Sequence, residues 1–103
     1  MNTTLSGILF EWDDQKDNLN KQKHGLSFTT AAHVFFDEDR LEFYDAAHSV
    51  DEDRFITIGK VSEVLFVVFT ERESPESIRL ISARVATAKE RRLYYGDETN
   101  DSL

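Results

Sequence analysis

The sequence contains no cysteine, only one proline and no long run of apolar residues. Without cysteine, the 103-residue chain can form neither disulfides nor thiolate metal sites. No apolar run approaches the roughly 18 residues that a membrane-spanning helix requires, and no signal-peptide pattern opens the chain. Apolar residues still make up 40% of the chain and include eight phenylalanines, enough for one packed core. We therefore expect a cytoplasmic protein that does not cross a membrane.

Positive charge is also scarce, because 20 acidic residues outnumber 12 basic ones and the net charge is −8. This balance disfavours a partner rich in phosphate, since phosphate binding depends on lysine and arginine. The charges are unevenly distributed, however. Segment 37–53 holds eight acids against Arg40 alone, whereas segment 54–95 holds eight bases and five acids. A local anion site in the second half of the chain is therefore compatible with the overall charge.

Hydrophobic spacing predicts two helices in the first third of the chain. The first seven residues are polar and are predicted to be loose, and "ILFEW" reads as a short strand or an extended lead-in. An aspartate of "WDD" can cap a helix that runs to about Lys23, with Gly25 as its left-handed end. Ser27 then caps a second helix, "FTTAAHVFF", whose apolar residues follow helical spacing.

After residue 40 the spacing changes to the two-residue period of β-strands. Four segments rich in β-branched and aromatic residues follow, at 40–44, 54–60, 64–71 and 77–85. Their short links favour antiparallel neighbours, and the third segment, apolar on both faces, should be central. A closing helix, "ATAKERRLYY", ends at Gly96. We predict an α+β domain over residues 1–95, with two N-terminal helices, a four-stranded antiparallel meander and a C-terminal helix, followed by a flexible acidic tail over 96–103.

The stretch "KHG", Lys23 to Gly25, has two interpretations. In the first, Lys23 and His24 complement the carbonyl end of the helix dipole while Gly25 turns the chain. In the second, a cation and an imidazole act on a phosphate, which requires other basic groups to converge there. The sequence pattern alone favours the helix end.

Such basic groups are available on the predicted strands, in Arg54, Arg72, Arg79 and Arg84. Strict alternation in "SIRLISARV" places Arg79 on one face of the sheet and Arg84, with Ser82, on the other, unless a β-bulge intervenes. A single strand arginine usually lies at a solvated edge or pairs with an acid. Several guanidiniums on one face would instead make a phosphate site. The pattern leaves both interpretations open.

Other chemistries have less support in the sequence. No glycine-rich phosphate loop occurs, and Ser82 has no base partner nearby in the sequence. The three histidines lack the close spacing of metal ligands, and "HSVDED" is interpreted as a solvated acidic loop rather than a metal site. We therefore predict no metal and no cofactor.

Several motifs in order along the chain resemble the BrnT family. They are "FEWDDQKDNLNKQKHGLSF", "AAHVFFD", "DRFITIG", "FVVFTER" and "IRLISARVATAKERRLYY", and they cover roughly residues 10–95. The most specific positions are Trp12-Asp13 with Lys16, Asn20 and Lys23-His24-Gly25, and the later "ISAR" with Ala86 and Glu90. BrnT proteins are ribonuclease toxins of bacterial type II toxin–antitoxin systems.

The resemblance implies a compact RelE-like fold and an endoribonuclease that needs no metal ion and inhibits translation when free. It also implies a cognate BrnA-like antitoxin that covers the toxin. Because this antitoxin resembles a ribbon-helix-helix DNA binder, the toxin would contact operon DNA only indirectly, through its partner.

Transferred to the matching positions, the resemblance assigns catalysis to His24, Arg79 and Arg84, and substrate binding to Lys23, Arg54, Arg72 and Ser82. His24 would transfer protons, because an imidazole can act as acid or base near neutral pH. The two catalytic arginines would hold the phosphate and stabilise the charge that develops as a 2′,3′-cyclic phosphate forms.

The acidic segment 37–53 and the acidic tail oppose the approach of RNA. The sequence is therefore also compatible with a weak or inactive family member that acts as a protein-binding and operon-regulating module. In that case the acidic surface would be the docking site for a basic antitoxin. Both hypotheses predict a tight protein partner, so RNA cleavage is the property that separates them.

Overall fold

The computed structural model describes residues 1–73 and 76–96, and it has the predicted α+β class. Within these residues the strands are β1 (Asn2–Leu5), β2 (Ile8–Glu11), β3 (Leu41–Tyr44), β4 (Phe55–Val61), β5 (Glu63–Glu73) and β6 (Glu76–Val85). The helices are α1 (Asp14–His24), α2 (Phe28–Ala32) and α3 (Ala88–Tyr95), with 3₁₀ turns at His33–Phe36 and Ala46–His48. The predicted tail over 96–103 lies outside the described residues, apart from Gly96.

The described strands form one mixed sheet in the order β1-β2-β6-β5-β4-β3. Strands β3 to β6 are antiparallel neighbours, as predicted for the meander. Strand β2 adds to the β6 side in parallel, with Phe10 opposite Ile78 and Glu11 opposite Arg79, and β1 pairs with β2. The prediction of a four-stranded antiparallel sheet is therefore wrong in strand number and in strand direction.

Strand β1 comes from N-terminal residues that were predicted to be loose, whereas β2 lies in "ILFEW", which was predicted as a short strand or an extended lead-in. Ser6 and Gly7 adopt positive φ values of 48° and 83° and form the two-residue turn of a tight hairpin between β1 and β2. The partner of β2 comes from the far end of the chain, so no local period in the sequence signals the pairing. Phe10, at the centre of this pairing, is fully buried.

The capping residues predicted for the first two helices are confirmed, whereas the closing helix, predicted from residue 86, begins at Ala88. Asp13 caps α1 by accepting hydrogen bonds from two backbone N–H groups, and Ser27 caps α2. Gly25 and Gly96, with φ values of 67° and 72°, end α1 and α3. The second predicted helix changes to a 3₁₀ turn after Ala32. Among the described residues, no helix has the length and apolar character needed to cross a membrane.

The main hydrophobic core lies between the sheet and the first two helices with the 3₁₀ turn at His33–Phe36. Its buried side chains are Phe10, Trp12, Phe28, Ala31, Ala32, Val34, Leu65, Val67, Phe69, Leu80 and Ala83. Each large member contributes on the order of 1.5–3 kcal/mol by its burial. Helix α1 is different, because its buried residues are polar, Asp17 and Asn20. It is held to the sheet by hydrogen bonds more than by apolar contact.

The opposite face of the sheet, which we call the open face, is only partly covered. Helix α3 packs over one end, where Ile58, Val64 and Ala86 form a small buried cluster. Strand β5 is internal, as predicted, but Phe66 and Val68 on its open side are only half-buried. The uncovered part of the open face is therefore accessible to a ligand.

Candidate active site

A β-bulge in β6 determines which side chains share the open face. Ser82 and Leu80 pair with consecutive residues of β5, which leaves Ile81 as an extra residue in β6. Alternation restarts across the bulge, so Arg79 projects from the same face as Ser82 and Arg84. Strict alternation predicted Arg79 and Arg84 on opposite faces unless a β-bulge intervened, and this bulge places them on the same face.

The open face carries a cleft of about 410 Å³ over β4, β5 and β6. Its apolar lining is Ile56, Phe66, Val68 and Ile81, and its polar lining is Asp45, His48, Arg54, Ser82 and Arg84. Three residues predicted to belong to the site, Arg54, Ser82 and Arg84, thus meet in one place. We call this space the arginine cleft.

Arg54 brings an uncompensated positive charge to the arginine cleft. Its backbone N–H donates to Ser49 Oγ at 2.8 Å, and its carbonyl accepts from the Asp45 N–H at 2.8 Å, which together fix the residue just before β4. Its Nε is buried without a hydrogen-bond partner, and no carboxylate in the described part of the chain forms an ion pair with it. Because such a group is costly to bury, an anion bound here would be stabilised.

Arg84 is the second cation of the cleft, and α3 holds it in place. Its two Nη atoms donate to the Glu90 carboxylate at 2.8 and 2.9 Å, and its guanidinium lies 4.0 Å from the centre of the Phe66 ring. Glu90 also accepts from the Thr87 N–H and so completes the capping box of α3. The hydrogen bond from Arg84 lowers the pKa of Glu90 more than burial raises it, and the same bond raises the pKa of Arg84. The guanidinium is therefore charged and oriented.

Acid should weaken the Arg84–Glu90 pair. Because the pKa of Glu90 in the folded chain is below its ordinary 4.5, the pair stabilises the fold above pH 4.5 and loses this effect as the pH falls through the folded value. We expect Glu90→Gln to lower the free energy of unfolding by about 1 kcal/mol at neutral pH, a modest value because solvent screens the pair. In urea unfolding at a series of pH values, the free energies of unfolding of the parent and the variant should become more similar as the pH falls. A difference that stays constant with pH would contradict this explanation.

Arg72 and Arg79 form a second cationic group on the open face. Arg72 Nε and Arg79 Nη1 both contact Glu11 Oε1, at 3.1 and 3.2 Å. Two guanidiniums around one carboxylate leave a net positive charge, which extends the cationic surface along β6. Neither arginine lines the arginine cleft, so the structure separates the four predicted arginines into two pairs. Glu11 was not predicted from the sequence, because its contact with Arg79 depends on the pairing of β2 with β6.

Most of the chain matches one protein-family model. Residues 12–90 match the ribonuclease toxin BrnT of type II toxin–antitoxin systems. The chain belongs to the BrnT family. It is thereby a ribonuclease toxin of such a system, which implies a cognate antitoxin as its partner. No curated protein matches the chain. The range matched to BrnT includes the "KHG" stretch, the bulge in β6 and all three arginine-cleft residues that the sequence predicted.

In this BrnT chain the "KHG" stretch ends α1, which lies beside the part of β6 that extends beyond its pairing with β2. Asn20 anchors the helix there, because its Nδ2 donates to the Ala83 carbonyl at 2.8 Å and its Oδ1 accepts from the Ala83 N–H at 3.1 Å. His24 follows one helical turn later on the same side of α1, about 6 Å further along the helix axis. Gly25 confirms the predicted helix end. Neither Lys23 nor His24 lines the arginine cleft, and the half-buried His24 ring has no hydrogen bond within the described residues.

Sequence reasoning missed His48 and Asp45. The interpretation of "HSVDED" as a solvated loop overlooked that a 3₁₀ turn brings His48 to the rim of the cleft, with its Nδ1 3.0 Å from Asp45 Oδ2. The signal for this pair is the Asp-x-x-His spacing, which places both side chains on one side of a single helical turn. This spacing occurs in the loop that precedes Arg54 and strand β4.

The chemistry of the cleft in this BrnT chain suits an anion better than a cation. The charge of Arg84 is balanced by Glu90, whereas Arg54 has no ion pair within the described residues and would repel a metal ion placed beside it. Among residues 1–73 and 76–96, no three His, Asp or Glu side chains come together as metal ligands would. A phosphate has the charge and the hydrogen-bond acceptors that two guanidiniums recognise.

Proposed function

We propose that this chain cleaves single-stranded RNA without a metal ion, on the open face and in the arginine cleft. The observation that carries the proposal is the bulge in β6, because it brings Arg79, Ser82 and Arg84 to one face beside Arg54. A single-stranded RNA has a phosphate at every nucleotide, and a row of guanidiniums on one sheet face can bind successive phosphates.

In the proposed reaction the ribose 2′-oxygen attacks the adjacent phosphorus and the bond from phosphorus to the 5′-oxygen breaks, which gives a 2′,3′-cyclic phosphate. Arg54 and Arg84 bind the reacting phosphate and stabilise the negative charge that develops on it. Ser82, which lines the same cleft, donates its hydroxyl proton to a hydrogen bond with a phosphate oxygen. Arg79 and Arg72, which keep one net positive charge after Glu11 is counted, bind the neighbouring backbone.

His24 supplies the base that removes the 2′-hydroxyl proton in this proposal. The anchor between Asn20 and Ala83 supports this role, because it fixes α1 beside the strand that carries Ser82 and Arg84. The His24 ring is half-buried and keeps both nitrogens available for a substrate, since it forms no hydrogen bond in the described part of the chain. Lys23 is exposed on the same helix end and adds a positive charge for the RNA backbone.

We also propose that a BrnA-like antitoxin docks on the acidic side of the chain. Edge strand β3 lies within the acidic segment 37–53, and its Phe43 and Tyr44 are 43% and 54% exposed. Exposed aromatic residues surrounded by acids suit a partner surface that combines apolar and basic residues. DNA would be contacted only through this antitoxin, and loss of the antitoxin would free the toxin to cleave RNA and inhibit translation in the cytoplasm.

Cleavage of a labelled single-stranded RNA in the presence of EDTA tests the proposed activity. We expect the parent chain to cleave, and His24→Ala to cleave roughly 10²-fold or more slowly, because general acid–base catalysis contributes at least this much. His33→Ala is the matched control, since His33 is exposed and bonds only the Thr29 carbonyl in the described part of the chain. The melting temperatures of both variants should stay close to that of the parent.

Each alternative gives a different result in this assay. A folded parent that cleaves none of several RNAs would support the non-catalytic binding module instead. Cleavage that EDTA abolishes would contradict a metal-independent reaction. A large loss of melting temperature in His24→Ala would show that His24 mainly stabilises the end of α1.

A further inference from the structure

The Asp45–His48 pair at the rim of the arginine cleft is built like the acid–base pairs of hydrolytic enzymes. His48 Nδ1 lies 3.0 and 3.2 Å from the two oxygens of the Asp45 carboxylate. The Asp45 side chain is only 11% exposed, whereas that of His48 is 70% exposed. The carboxylate is therefore fixed within the fold, and the imidazole is presented to the solvent and to any ligand in the cleft.

The backbone around Asp45 makes this arrangement rigid. The Asp45 N–H donates to the Arg54 carbonyl, and the Ser49 hydroxyl donates to the Asp45 carbonyl at 2.6 Å. The same hydroxyl oxygen accepts from the Arg54 N–H. The 3₁₀ turn with His48 is thus fixed to the first residue before β4, so the imidazole and the Arg54 guanidinium belong to one local unit.

This geometry determines which nitrogen of the His48 ring is available to a substrate in the cleft. An ionised carboxylate can only accept a hydrogen bond, so His48 Nδ1 carries the proton that Asp45 binds. Nε2 is then the nitrogen that remains free to exchange a proton with a substrate. When Nε2 also carries a proton, the His48 ring is positively charged, and the Asp45 carboxylate at Nδ1 stabilises this charge.

His24 and His48 belong to elements on opposite sides of the three strands that carry the cleft. His24 ends α1, which Asn20 anchors to Ala83 in the part of β6 beyond its pairing with β2, whereas His48 precedes β4, which is separated from β6 by β5. In an in-line displacement at phosphorus, the attacking 2′-oxygen and the departing 5′-oxygen lie on opposite sides of the phosphate. A base from the β6 side and an acid from the β4 side would meet this requirement.

We propose that His48 is the general acid of RNA cleavage, with Asp45 as its positioning residue; this inference rests on the proposed ribonuclease function. As the bond from phosphorus to the 5′-oxygen breaks, the electron pair of that bond goes to the oxygen and His48 Nε2 donates the proton that neutralises it. The 2′-hydroxyl proton goes to His24, so the two imidazoles exchange protonation states in one turnover.

Several charged groups lie close to His48. Arg54 and Arg84 line the same cleft, and Asp45 binds its Nδ1. On the following loop, Asp51 and Glu52 share a second shallow cavity with His48 and Arg54. The control His33→Ala leaves all of these groups in place, and Asp45→Asn changes only one of them.

The first test is the pH–rate profile of RNA cleavage for the parent, His48→Ala, Asp45→Asn and the control His33→Ala. We expect a bell-shaped profile for the parent. His48→Ala should cleave roughly 10²-fold more slowly and lose the alkaline limb, because that limb reports the acid that must carry a proton. The cleavage rate of Asp45→Asn should lie between those of the parent and His48→Ala, and its alkaline limb should shift. The rate and profile of His33→Ala should match those of the parent.

A second substrate identifies the proton that His48 delivers. In the second substrate, sulfur replaces the bridging 5′-oxygen of the RNA. Its leaving group departs as a thiolate, which needs no proton from an acid. His48→Ala should therefore cleave this RNA at nearly the parent rate, while His24→Ala stays slow. A His48→Ala rate that remains low on the sulfur substrate would overturn the role as general acid.

The outcomes separate the inference from the proposed function. If the parent cleaves RNA and His48→Ala matches it in rate and profile, the inference about His48 is wrong and the proposed function stands. If the folded parent cleaves neither substrate, the proposed function is wrong, and the role of His48 is rejected with it. His48 is largely exposed, so we expect its alanine variant to keep the parent melting temperature.

Discussion

Replacing Arg54 with alanine should lower RNA cleavage by roughly 10²- to 10³-fold, the usual cost of removing one fixed donor from a charged transition state. The free energy of unfolding should stay the same or rise slightly. Arg54 has a buried Nε without a partner and no ion pair in the described part of the chain, so its removal relieves an unfavourable burial. Arg54 is buried unfavourably and lies in a cleft with a second arginine. A binding site for an anionic ligand explains this placement.

Initial rates on labelled RNA, with urea unfolding of the same samples, measure both effects of the Arg54 substitution. Arg54→Lys is the conservative variant, which keeps the charge but loses the planar fork, and should recover only part of the activity. Arg91→Ala is the matched control, because Arg91 is exposed on α3 and donates to the Ala86 carbonyl. Parent-like cleavage by Arg54→Ala would show that Arg54 does not bind the reacting phosphate.

Replacing Asn20 with alanine should cause a large loss of stability, about 3 kcal/mol. The side chain is 7% exposed and donates to the carbonyls of Leu26 and Ala83 while accepting from the Ala83 N–H. In the alanine variant both Ala83 backbone groups would lose their partner in a buried place, and each such loss costs about 1–3 kcal/mol. Helix α1 has little apolar contact to compensate, since its buried residues are polar.

Urea unfolding and the melting temperature measure the Asn20 effect, and the melting temperature should fall by roughly 10–20 °C. Asn18→Ala is the matched control, because Asn18 lies in the same helix and is exposed. Hydrogen exchange gives a local measurement, in which the Ala83 amide should lose protection in the Asn20 variant only. Equal stability of the two alanine variants would show that α1 does not depend on this anchor.

Local signals in the sequence were sufficient for the elements of the fold. The alternating segments gave β3 to β6, and Asp13, Ser27, Gly25 and Gly96 set the helix ends, because capping and left-handed turns depend on a few neighbouring residues. The β1–β2 hairpin was not predicted, because β1 is short and polar and "ILFEW" was predicted only as a short strand or an extended lead-in. The parallel pairing of β2 with β6 depends on residues from both ends of the chain, which no local pattern contains.

The site was predicted less completely than the fold, for a similar reason. Arg54, Ser82 and Arg84 were identified from the sequence, but the face on which Arg79 lies depends on the bulge at Ile81. A bulge is decided by how two strands pack, and β6 has no glycine or proline that would mark it. His48 was overlooked because an acidic loop is usually solvated, and only the three-dimensional fold places this loop over the cleft.

The pairing of β2 with β6 also determines how late in synthesis the fold can be completed. A ribosome releases the N-terminal residues first, so Phe10 emerges long before Ile78, the residue it pairs with. Strand β6 is the last strand of the chain, and it carries Arg79, Ser82 and Arg84. The nascent chain therefore lacks both its central pairing and its cationic face until almost all of it has been made. The proposed cleft therefore cannot form before that strand has emerged from the ribosome.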